Sequence, residues 1–100
     1  MLGLFFTDRA ELHLEELSEW WGVNRPDSRR QVIGIVEEAT LLLREVPGMG
    51  SFYARKRGRE VRKLRVGKTP YYLYYSVDRT AEMVAVLAIW SRVRRESPPI

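Results

Sequence analysis

Eight cationic side chains fall within fourteen residues: Arg55, Lys56, Arg57, Arg59, Arg62, Lys63, Arg65 and Lys68, with Glu60 alone against them. A strand-like aromatic run follows at once, Pro70-Tyr71-Tyr72-Leu73-Tyr74-Tyr75-Ser76-Val77. A second run, Met83 to Trp90, leads directly into Arg92, Arg94 and Arg95. Cations gathered on one hairpin and one tail are suited to meet something anionic: nucleic acid, a nucleoprotein machine or an acidic protein partner. Lys63 and Arg65 project from one strand face at period two. In the tyrosine run, Tyr71, Leu73, Tyr75 and Val77 share one face, and Tyr72, Tyr74 and Ser76 the other. One tyrosine row is expected in the core, and the other at a sheet edge or groove, where phenols beside cations could stack bases.

Hydrolytic and redox chemistry finds little to work with. There is no G-x-S-x-G, no Walker loop and no G-x-G-x-x-G. His13 is the only histidine and there are no cysteines, so neither a metal site nor a cofactor is expected. His13 reads as structural or solvated. Glu11, Glu15, Glu16 and Glu19 have the spacing of an ordinary solvated helix face. Pro47-Gly48-Met49-Gly50 follows a helix instead of opening one, and reads as a turn, not a phosphate cradle.

The elements that must carry these residues can be read from periodicity. One hundred residues suit a single domain, residues 1–100. Residues 1–50 carry five Lys/Arg against nine Asp/Glu, or −4, and residues 51–100 twelve against four, or +8. The apolar start, Met1 to Phe6, is cut off by Asp8-Arg9 and is too short for a signal core or membrane span. A cytoplasmic location with no membrane contact is expected.

Leu2 to Thr7 reads as a short strand. Asp8 with Glu11 resembles a capping box, and Ala10, Leu14, Leu17 and Trp21 form one apolar stripe that Gly22 should end. Trp20 falls about 100° from that stripe. Ser28 with Gln31 suggests a second capping box, before the stripe Val32, Val36, Ala39, Leu43 and Val46. The periodicity changes from about Phe52, and a strand around Val61 to Val66, a turn at Gly67 to Pro70, the tyrosine strand, a turn at Asp78 to Ala81 and a doubly apolar last strand complete the chain. The expected fold is α+β, in the order β-α-α-β-β-β, with a helical hairpin packed on a mostly antiparallel curved sheet.

This order, together with several local phrases, resembles the RelE/ParE family of bacterial type II toxins, nearer its ParE branch. The phrases are Trp20-Trp21 and Asn24-Arg25-Pro26, then Leu43 with Pro47-x-x-Gly50, Val61 to Leu64, Tyr71 to Tyr75 and Val86 to Trp90. The resemblance implies a toxin neutralised by a cognate antitoxin in a hetero-oligomer, the antitoxin's disordered segment folding over the toxin surface. ParE-like members inhibit DNA gyrase and need no catalytic residues. RelE-like members are endoribonucleases that cut mRNA on the ribosome with basic sheet residues, often aided by a Tyr or His near the C-terminus. For that alternative the set would be Lys63, Arg65, Tyr72, Arg92 and Arg95, but Glu96-Ser97-Pro98-Pro99-Ile100 holds neither Tyr nor His. Gyrase inhibition is therefore the preferred expectation, with enzymatic activity left open. The residues expected to bind target or antitoxin are Arg62, Lys63, Arg65, Tyr74, Trp90, Arg92, Arg94 and Arg95.

Overall fold

The computed structural model describes all residues from Met1 to Ile100. The elements are β1 (Gly3–Phe6), α1 (Asp8–Asn24), α2 (Pro26–Glu45), β2 (Ser51–Lys56), β3 (Arg59–Arg65), β4 (Tyr71–Asp78) and β5 (Met83–Ser91). The strands form one open sheet in the order β1-β5-β4-β3-β2, with β1 parallel to β5 and every other pair antiparallel. The helical hairpin on a mostly antiparallel sheet is as expected, with one strand more, β2. Its sequence, Ser-Phe-Tyr-Ala-Arg-Lys, has no apolar alternation, because β2 lies at the sheet edge and Tyr53 bulges out of register with β3. The turn signal was present in Arg57-Gly58, both at positive φ (53° and 77°), as a two-residue hairpin requires.

Local signals set the helix ends differently from the sequence reading. The cap of α1 is Thr7, whose Oγ accepts the Ala10 N–H at 3.2 Å, so Asp8 and Glu11 become first-turn acids facing the positive end of the helix dipole. Gly22 does not stop α1, which runs to Asn24 until Pro26 removes the next backbone donor. Nor does Ser28 cap α2: the helix begins two residues earlier, with Pro26 in its first turn.

Leu17, Val32, Val36 and Leu43 from the helices pack on Leu73, Tyr75, Val84, Val86 and Ile89 from the sheet. The stripe on α2 ends at Leu43, because Val46 already lies past the last helical turn and is exposed. A bulge controls which face each β5 residue meets. Tyr74 pairs with Ala88 but Tyr75 pairs with Val86, so Leu87 has no partner. The alternation of β5 therefore changes phase: Val84, Val86 and Ile89 point to the helices, Ala88 and Trp90 to the opposite face. No helix is long and apolar enough to cross a membrane.

Candidate functional site

The face of the sheet without helices collects the aromatic and cationic residues. Cross-strand register places Lys63 opposite Tyr74 and Arg65 opposite Tyr72, with Tyr72 opposite Trp90 in turn. The two cations therefore share a face, as their period-two spacing implied. The Lys63 ammonium sits 4.1 Å from the Tyr72 ring centre and 5.8 Å from that of Tyr74. Tyr53 meets Tyr74 edge to face at 4.8 Å. Beyond them the Arg94 guanidinium lies 4.3 Å over the Trp90 ring. Cations over ring faces gain attraction from the aromatic quadrupole and remain available to an anion on their open side.

The C-terminal tail closes part of this surface. The Trp90 indole N–H donates to the Glu96 carbonyl at 2.9 Å, Ile100 packs against the cluster of Tyr74, Ala88 and Trp90, and Arg9 donates to the Pro99 carbonyl. Arg92 and Arg95 are exposed. Arg62 is not on this face. It points to the helix side, where it donates to the Gly50 carbonyl at 2.8 Å and the Gly48 carbonyl at 3.3 Å, and pairs with Glu60 at 3.3 Å. Arg62 therefore has a structural task within the chain. Its guanidinium pins the loop after α2, which Tyr75 holds from beneath by donating to the Pro47 carbonyl and accepting the Gly50 N–H. A side chain at Gly50 would lie 2.8 Å from the Tyr75 oxygen, so only glycine fits.

Trp90 also borders a cleft of about 700 Å³ beside the free edge of β5, lined by His13, Trp20, Trp21, Tyr71 and Arg94 among others. The Trp21 indole donates to the Tyr71 hydroxyl at 2.9 Å. Burial raises the phenol pKa of Tyr71, opposed by that hydrogen bond and by Arg94. Burial likewise raises Tyr74, against the pull of Lys63. Both side chains are thus held as neutral phenols.

His13 has a structural task. β1 covers β5 only as far as Val86, leaving the backbone beyond it at an edge. Helix α1 seals that edge: the Thr7 hydroxyl donates to the Leu87 carbonyl at 3.4 Å, and the Ile89 N–H donates to His13 Nδ1 at 3.1 Å. An accepting Nδ1 must be unprotonated. Burial lowers the His13 pKa from its ordinary 6.5, as do Arg94 and Arg9, while Glu16 opposes them. The neutral form is therefore favoured in the folded state. Stability is intact above pH 6.5 and declines as pH falls through the lowered folded value, because the unfolded chain binds the proton first. Urea unfolding should show lower stability at about pH 5.5 than at about pH 7.5. His13→Gln should flatten this window; an equally steep decline in the variant would remove His13 as its source.

Three participants escaped the sequence reading. Tyr53 was hidden because β2 itself was, and Ile100 because an apolar residue at a chain end has no periodicity. The tie from His13 to Ile89 spans seventy-six positions and has no local signal.

Comparison with known proteins adds an independent line. A family model described as the ParE toxin of type II toxin–antitoxin systems, parDE, matches residues 4–96. Among solved structures, one from P. aeruginosa described as a chromosomal ParDE TA system superimposes with a TM-score of 0.74 at 20% identity. The match covers 91% of this chain and 96% of the other, and is a likeness of fold. No curated protein matches the sequence.

Proposed function

Because the chain belongs to the ParE family of type II toxins, we propose that it arrests growth by docking on DNA gyrase and is silenced by a cognate antitoxin. The observation that carries this reading is the helix-free face, where Lys63 lies over tyrosine rings, with Arg94 over the Trp90 ring at its β5 edge. That arrangement suits docking. A ribonuclease needs an acceptor for the 2′-hydroxyl proton. Here burial works against phenolate at Tyr74, and His13 Nδ1 is tied to the strand edge. An antitoxin segment of acidic, amphipathic character would complement the basic face. It would also find apolar side chains left open on the helices, such as Leu12, Leu41 and Leu42. An interface of about 1,000 Å² or more would hold such a partner firmly.

Purified protein is expected to block supercoiling by gyrase, to leave mRNA uncut on programmed ribosomes, and to lose its effect when the antitoxin is added. Arg92→Ala combined with Arg95→Ala should weaken the block. These point changes are preferable to trimming Arg92 to Ile100, since the tail's Pro98 is buried and Ile100 covers the aromatic cluster. Cleavage of mRNA with gyrase unaffected would reverse the choice in favour of the ribosome-dependent nuclease.

A further inference from the structure

The tip of the β2–β3 hairpin is a second basic feature, separate from the aromatic face. Lys56 pairs with Arg59 and Arg55 with Glu60 across the ladder, and Arg57-Gly58 closes it. Every residue from Arg55 to Glu60 is exposed, and no large apolar side chain lies among them. Two of the four cations are engaged within the chain: Arg59 pairs with Asp78 at 2.9 Å, and Arg55 donates to the Gly58 carbonyl at 3.4 Å. The side chains of Lys56 and Arg57 have no such partner. On β3 the face that holds Arg59 runs through buried Val61 before reaching Lys63 and Arg65.

We propose that this hairpin tip binds the phosphate backbone of duplex DNA. A partner protein that folds onto a surface gains by burying apolar area, and the tip offers none. A polyanion gains by releasing condensed counterions, which needs only well-spaced cations. A two-stranded ribbon also fits the major groove of B-DNA, about 12 Å wide, whereas the major groove of duplex RNA is too deep and narrow for it. The site goes beyond the gyrase reading and stands without it, since its test contains no gyrase.

The probe is a labelled DNA duplex of about 20 base pairs, titrated with purified protein between about 50 and 200 mM salt. The tip variant combines Lys56→Gln with Arg57→Asn. Asparagine before glycine is a preferred pair for this turn, so the hairpin should persist, as an unchanged melting temperature would verify. A charge-matched variant, Lys68→Gln with Arg30→Gln, alters exposed cations on the far β3–β4 turn and on α2. Losing two phosphate contacts should flatten the plot of log affinity against log salt by about 1.8 and weaken binding tenfold or more at low salt. The charge-matched variant should change the slope by less than half as much. Equal slopes in the two variants, or none altered, would overturn the site. Tip-dependent binding of an RNA duplex as tight as that of DNA would overturn the choice of ligand.

Discussion

Cells expressing the Lys63→Ala, Arg65→Ala variant are expected to grow as if no toxin were present, although the protein folds. Both cations lie on the helix-free face, opposite Tyr74 and Tyr72, where a target or antitoxin can reach them. Neither takes part in an ion pair with an acidic side chain. Losing Lys63 forfeits its attraction to the two tyrosine rings, worth about 0.5–1 kcal/mol at a partly exposed site. Exposed Arg65 should contribute close to nothing. The melting temperature should accordingly fall by only a few degrees, while toxicity and the block on supercoiling drop by at least about a hundredfold, or some 2.7 kcal/mol of lost binding. Lys63→Arg should retain much of the activity, because the positive charge over the rings remains. A double variant that stays fully toxic, with normal melting, would reduce this strand to a solvated face.

Leu43→Ala should do the opposite, weakening the fold and lowering activity only through the loss of folded protein. Leu43 is wholly inaccessible to solvent, on the side of α2 that meets the sheet. Truncation there loses the transfer energy of the buried methyl groups and leaves a cavity that α2 and the sheet cannot both close, at about 2–5 kcal/mol. Set against a total of about 5–15 kcal/mol, the melting temperature should fall by roughly 10–30 °C. The neighbouring residue provides the control. Leu42 is 50% exposed, so Leu42→Ala should cost well under half as much. Calorimetry on the pair separates the two positions. Equal losses would mean that α2 is rotated from the orientation described. Trp21→Ala lies between these cases, since the side chain is only half-buried and its removal also frees the Tyr71 hydroxyl.

Much of this molecule was legible in its sequence because the relevant forces act over a few residues. Ala10 and Leu17 on α1, and Val32, Val36 and Leu43 on α2, repeat with the helical period, and the two stripes meet in one core. Lys63 and Arg65 had to share a face once their segment became a strand, since side chains alternate with period two. The absence of cysteine and of a second histidine bounded the chemistry before any fold was known. The edge strand β2 was not legible, because a strand that packs little needs no apolar alternation and its identity lies in pairing with β3.

The division between site and scaffold was likewise decided in three dimensions. Arg62 and Lys63 are neighbours of like charge in the same cluster, yet one pins the Pro47–Gly50 loop and the other meets Tyr72. Composition cannot distinguish them; the sheet does, by giving each a different side. Trp90 reached the outer face because an unpaired Leu87 shifted the phase of β5. His13 became a cover for a strand edge because β1 ends too soon to pair with Ile89. Local periodicity fixes which residues move together, but a backbone group left unpaired by one strand can be satisfied only by whatever the whole fold brings beside it.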